Sequence, residues 1–209
     1  MVKKLKLNLI RNKLKEDGIY IFSSFDLQKY FNVSQNTANL FLNRNVKKGN
    51  ILKLRKGVYM FVGEYVSEML IANKVYQPSY VSFEYALMFY NIIPETVYTI
   101  TSATTRLTRE FVINNINYSY HRIKRNAFTG YIKKDFQGQE VFVAEPEKAL
   151  ADYLYFVSIG RKVLNDRLRL REINKEKLIN YAKLFKRKNL IKLINQIYDQ
   201  IRRNKEIIY

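Results

Sequence analysis

Spacing of the apolar residues divides the first sixty residues into a series of short elements. Leu7, Ile10 and Leu14 recur at helical intervals and predict a helix from about Leu5 to Asp17, ended by Gly18. The apolar run Ile19–Phe22 follows, and Ser23-Ser24 then supply hydroxyls suited to capping a helix over about Phe25–Phe31. Ser34 is placed to cap the next helix, Gln35 to about Lys48, and Gly49-Asn50 tolerate the positive φ that ends it. Two short strands, Ile51–Leu54 and Val58–Phe61, flank the tight basic turn Arg55-Lys56-Gly57. Helix, short turn, helix and basic hairpin is the order of a winged helix-turn-helix, so residues 1–62 are expected to form a DNA-binding domain of that kind.

From Gly63 to Tyr209 the pattern mixes strands and helices. Glu64–Lys74 reads as a helix leading into a second domain, with no Gly/Ser-rich linker between the two. Tyr80-Val81 is extended, and Ser82 is suited to capping a helix over Phe83–Tyr90. Strands are expected at Val97–Thr101, Ile116–Lys124 and Val141–Ala144, the last after a turn at Asp135–Gly138. Pro146 sits where a first-turn proline belongs, with Glu145 and Glu147 at the positive end of the helix dipole. Ala149, Leu150, Tyr153, Leu154 and Val157 form the buried stripe of that helix. The last fifty residues read as helices around Lys162–Leu170, Lys175–Lys188 and Asn189–Arg203. The predicted class is α+β: a winged N-terminal domain, then a mixed α/β domain with a helical, basic C-terminal end.

The 209 residues suffice to bury a core without staples, and the absence of cysteine excludes disulfides and thiolate metal sites. The longest apolar runs fall far short of a membrane span, and no apolar leader follows Met1-Val2-Lys3-Lys4, so a soluble, cytoplasmic protein without a membrane partner is expected. The net charge of +19 is unevenly spread. Residues 1–62 hold 13 Lys or Arg against 3 Asp or Glu, residues 63–159 hold 9 against 10, and residues 160–209 hold 15 against 5. Basic ends around a neutral centre fit a polyanionic partner.

The helix from Gln35 carries the most specific signal. At 100° per residue, Gln35, Asn36, Asn39 and Asn43 fall within an arc of about 100°, opposite Ala38, Phe41 and Leu42. Asn and Gln are poor helix formers for a merely solvated face, but they suit hydrogen bonding to base edges, adenine above all. These four residues are therefore candidates for reading bases, with Lys53, Arg55 and Lys56 contacting phosphate from the hairpin. A plain polar surface is the competing reading.

Nothing comparable points to catalysis, so no enzyme, cofactor or metal is expected. Phosphate-binding glycine loops and nucleophile elbows are absent, and His121 is the only histidine. A carboxylate nuclease built on Asp135, Glu145, Glu147 and Asp152 is the one enzymatic alternative, although their spacing singles out no metal-binding trio. Lys148 and Asp152 are i,i+4 neighbours expected to form a structural ion pair.

The winged pattern is followed by Tyr80-Val81-Ser82-Phe83-Glu84-Tyr85-Ala86-Leu87 and then Ala144-Glu145-Pro146-Glu147-Lys148-Ala149-Leu150-Ala151-Asp152. In this order the chain resembles the AbiEi family of antitoxins. The first motif is similar to that family's Y-[IV]-S-x-x-x-A-L helix start, with Tyr85 where serine is common, and the second to its E-K-A-L-x-D helix. The resemblance implies binding to double-stranded DNA at promoter repeats and repression of the protein's own operon. It also implies that the protein counteracts a nucleotidyltransferase-like toxin encoded alongside, without the need to bind it directly. The alternative is a winged-helix regulator with no toxin partner, whose second domain senses a ligand or makes another interaction.

Overall fold

Local capping and one apolar core shape the first part of the chain. The computed structural model describes residues 5–206. Helix α1 spans Leu7–Glu16, followed by the two-residue strand β1, Ile21–Phe22. Helix α2, Ser24–Phe31, starts with a full capping box: Ser23 Oγ accepts from the Asp26 amide, and the Asp26 carboxylate accepts from the Ser23 amide. Asn32, in the left-handed region at φ 48°, ends it. Ser34 caps helix α3, Gln35–Lys47, through the Thr37 amide. Strands β2, Ile51–Arg55, and β3, Val58–Phe61, complete an antiparallel sheet of order β1-β3-β2. Ile10, Leu14, Phe22, Leu27, Ala38, Phe41, Leu42, Ile51 and Phe61 form its core. Each Leu, Ile or Phe fully buried there contributes roughly 1.5–3 kcal/mol.

A mixed sheet of six strands organises the rest. In chain order the elements are α4 (Glu68–Val75), β4 (Ser79–Val81), α5 (Phe83–Phe89), β5 (Ile100–Thr104), β6 (Arg109–Ile113), β7 (Ile116–Arg122), β8 (Tyr131–Phe136), β9 (Gln139–Ala144), α6 (Pro146–Ser158), α7 (Lys175–Lys183) and α8 (Lys188–Glu206). The strand order is β6-β7-β5-β4-β9-β8, with β5–β7 and β4–β9 parallel and the other pairs antiparallel. The whole is a mixed α+β structure.

Strand register fixes which helices cover which face. Tyr80, Ala103 and His121 are paired across three strands and so share a face, while Ser102 and Tyr120, one residue away, point to the other. On the first face Tyr80 donates to Asp152 of α6 and His121 packs on Phe156 of α6, with α5, α7 and α8 packed against α6. On the second face the Tyr120 hydroxyl donates to the Ala72 carbonyl of α4 at 2.7 Å. The three-stranded sheet lies on this second side. Its outer residues Ile21, Leu54 and Met60 belong to the same buried cluster as Leu70, Ile71, Tyr76 and Tyr120. That cluster spans the boundary expected at Val62, so the two parts share apolar packing.

Several elements differ from the sequence expectation. The segment Lys162–Leu170 is irregular, because tertiary bonds take its backbone: Tyr153 Oη donates to Val163 O, and Arg169 N donates to Ile92 O. Strands β6 and β8 were not expected, and both are edge strands. The helix expected over Glu64–Lys74 begins only at Glu68, where Ser67 caps it. The strand expected at Val97–Thr101 lies three residues further on. Ser82 does not cap α5. Its hydroxyl donates to Asp152, and Thr101 Oγ1 accepts from the Tyr85 amide in its place.

The expected pair Lys148–Asp152 is present and completely buried. Asp152 also accepts from Ser82 Oγ at 2.7 Å and Tyr80 Oη at 3.0 Å, and Lys148 Nζ lies 4.9 Å from the Phe185 ring centre. Burial pushes the Asp152 carboxyl up and the Lys148 ammonium down, and their mutual attraction opposes both shifts. Replacing Asp152 with Ala strands a buried ammonium and two hydroxyls, with an expected cost of about 3–5 kcal/mol in urea unfolding. The double change Lys148→Met with Asp152→Leu should recover only part of that loss, because the Tyr80 and Ser82 hydroxyls remain without an acceptor.

Candidate nucleic-acid interface

The apolar side of α3 is held by the first core, which leaves its other side to solvent. Ala38, Phe41 and Leu42 are buried, and so is Asn45, whose amide donates to the Phe41 carbonyl at 2.9 Å and accepts from Asn50. This pair fixes the end of the helix against the start of β2. On the opposite side Gln35, Asn36, Asn39 and Asn43 are all exposed, as the helical wheel predicts. None of the four makes a side-chain hydrogen bond or ion pair among the described residues. Their amides are therefore open to an external partner.

Three further residues share this exposed side and were not singled out from the sequence. Arg44 and Lys47 continue the arc toward the helix C-terminus, and Leu40, 64% exposed, lies between them. The signal was available, since the wheel that groups the four amides places Lys47 and Leu40 next to Asn36. Basic residues in a last turn are also ordinary partners of the helix dipole, which masks such a signal.

The three hairpin cations are placed differently from one another. Lys53 is paired with Tyr59, is exposed, and alternates with Leu52 and Leu54, which face the larger core. Lys56 is exposed in the turn. Arg55 is only partly exposed, and its Nε is buried without a hydrogen-bond partner. Burial raises the Tyr120 phenol far above its ordinary range, and the Arg55 charge acts against that rise. Arg55 thus sits where the hairpin meets the six-stranded sheet. The register irregularity between Lys53 and Arg55 accounts for this, since such a bulge re-aims the side chain that follows it.

The residues considered for catalysis do not converge. Asp135 accepts from the Gly138 amide in the β8–β9 turn, Asp152 is enclosed with Lys148, and Glu145 and Glu147 both clasp Lys177. Among the described residues no group of three or more His, Asp or Glu side chains could hold a metal ion. No described helix is long and apolar enough to cross a membrane. No family model matches the chain, and no curated protein matches it.

His121 is packed edge-on against Phe83, near Phe156, Ser119, Glu84, Glu110 and Lys162. Burial, and then the Lys162 charge, push its imidazole down to about 4 from the ordinary 6.5, outweighing Glu84 and Glu110. The folded state therefore favours the neutral ring, and the unfolded chain binds the extra proton between those two values. Stability from this site is fully present above pH 6.5 and is lost as pH falls through about 4. Urea midpoints measured from pH 7 to pH 4 should fall less steeply for His121→Gln than for the native chain.

Proposed function

We propose that the protein is a DNA-binding antitoxin that represses its own toxin–antitoxin operon and counteracts an adjacent nucleotidyltransferase-like toxin. The observation that carries the DNA-binding half is the exposed face of α3, where four unpartnered Gln and Asn amides stand beside Arg44 and Lys47. The order α1-β1-α2-α3-β2-β3 and the sheet order β1-β3-β2 support a winged helix-turn-helix, with α3 as the reading helix and β2–β3 as the wing. In a major groove, an Asn amide can accept from adenine N6 and donate to N7 at once, and Leu40 offers an apolar contact for a thymine methyl. Lys53 and Lys56 supply phosphate contacts from the hairpin, which position the helix without reading sequence. The resemblance to AbiEi antitoxins, on the segments from Tyr80 and Ala144, supports the antitoxin half. This reading assigns the protein no reaction of its own.

One observation favours a regulator with a ligand-sensing second part instead. A cleft of about 430 Å³ opens between the β2–β3 turn and the end of α4, lined by Tyr30, Asp26, Val58, Lys74 and Gln77 among others. A small polar molecule held there would touch both parts of the chain. A nucleotidyltransferase-like gene beside this one favours the antitoxin reading over that alternative.

On DNA from upstream of its own gene, Asn39→Ala should weaken binding by about 1–3 kcal/mol and leave random DNA almost unaffected. Lys53→Ala should weaken both alike and flatten the salt dependence by about one charge. Equal losses on both DNAs for Asn39→Ala would remove the base-reading role.

Repression and protection are separable in cells. A variant carrying Asn36→Ala, Asn39→Ala and Lys53→Ala is expected to lose repression of a promoter reporter. At normal abundance it should still restore growth to cells expressing the neighbouring toxin from an unrelated promoter. Failure of the native chain to restore growth would favour the ligand-sensing regulator.

A further inference from the structure

The faces of the six-stranded sheet separate two basic regions of the chain. The three-stranded sheet and its helices lie on the side covered by α4, whereas α6, α7 and α8 cover the other side. Cations of the C-terminal region thus stand across the sheet from the three-stranded sheet that carries α3, instead of extending that unit's own surface.

Three segments meet at the turn between α7 and α8. Lys124 Nζ donates to the Phe185 carbonyl at 2.7 Å, which brings the end of β7 to the turn. Arg187 donates to the Ser158 carbonyl at 3.2 Å, which brings in the end of α6. The sequence contributed is Arg122–Arg125, Ser158–Lys162 and Lys183–Lys192, and it contains no Asp or Glu. Lys124, Arg125, Arg161, Lys183, Lys186 and Lys188 are exposed, and none makes an ion pair among the described residues. Lys186 adopts φ 49°, a backbone region where Asn or Gly is the usual choice. A charged side chain is thus kept at a position whose backbone disfavours it.

We propose that this turn is a second nucleic-acid-binding surface, engaging a phosphodiester backbone independently of α3. A phosphate lattice suits cations contributed mostly by Lys on an open surface, since each acts as a point charge that needs no fixed geometry. An anionic lipid surface fits less well, because Lys183–Lys192 exposes no large apolar side chain that could enter the interface. An acidic protein partner would call for aromatic or apolar anchors at the centre of the patch, and the same segment offers none. The two surfaces would let one molecule hold two separate stretches of nucleic acid.

The test uses the full chain with Lys183→Gln, Lys186→Asn and Lys188→Gln. Asn is chosen at position 186 because it accepts the left-handed backbone. Fluorescence anisotropy with a short random-sequence DNA duplex, repeated with single-stranded RNA, gives the slope of log affinity on log salt. The triple variant should lower that slope by about 2.7 on the duplex or about 2 on single strands, for three lost phosphate contacts. The larger effect identifies which nucleic acid is preferred. The same changes are made on a chain already carrying Arg44→Gln, Lys47→Gln and Lys53→Ala, so the result stands whether or not α3 reads DNA. Residual binding in that background, lost with the three further changes, is the expected result. Slopes unchanged on both nucleic acids, with circular dichroism showing an intact fold, would overturn the proposal. Charge-dependent sedimentation with phosphatidylserine vesicles in the absence of nucleic-acid binding would overturn it as well.

Discussion

A fully enclosed charge pair determines how the layers of the second part can be stacked. Lys148 and Asp152 lie one helical turn apart on α6, and the donors that complete Asp152 come from Tyr80 on β4 and from Ser82 at the start of α5. Lys148 faces Phe185, which in turn stacks on Tyr155 of α6 at a centroid distance of 4.3 Å. Strand, two helices and the α7–α8 turn therefore converge on one carboxylate and one ammonium. Rotating α6 by a single residue would swing Asp152 through about 100° and leave both charges without partners in a dry interior. The pair adds little net stability, and its effect is to make competing arrangements costly.

The same cluster illustrates what the sequence could and could not disclose. Spacing alone identified the Lys148–Asp152 pair and the helix start at Pro146, because both are local. Ser23 and Ser34 are similar cases, since each caps within three residues of itself. Ser82 carries the same local signal, yet its hydroxyl goes to a residue 70 positions away. Competition from a distant acceptor has no trace in the local pattern.

Edge strands and irregular loops escaped notice for related reasons. β8 is exposed along nearly its whole length, so Tyr131–Phe136 shows no burial alternation, and only its pairing with β9 makes it a strand. Val163, Leu164, Leu168 and Leu170 imitate a helical stripe, but Val163 is 88% exposed and the backbone there is tied to Tyr153 and Ile92. Within the candidate interface the amide face of α3 was readable because a helix converts sequence spacing directly into a surface. The position of Arg55 was not, because it depends on a strand irregularity and on a sheet more than sixty positions further along the chain.

The outer face of the three-stranded sheet has a consequence for how such a chain can evolve. Ile21, Leu54 and Met60 are buried only in combination with residues of the second part. Winged domains that hang from a flexible linker can be exchanged between proteins as complete units, since nothing apolar is uncovered by the cut. Here a break after Val62 would uncover apolar surface on both pieces, so neither half is a free-standing module for recombination. Substitutions at Ile21, Leu54 or Met60 have to be matched by changes on the α4 side, which ties the drift of the DNA-facing half to that of its neighbour.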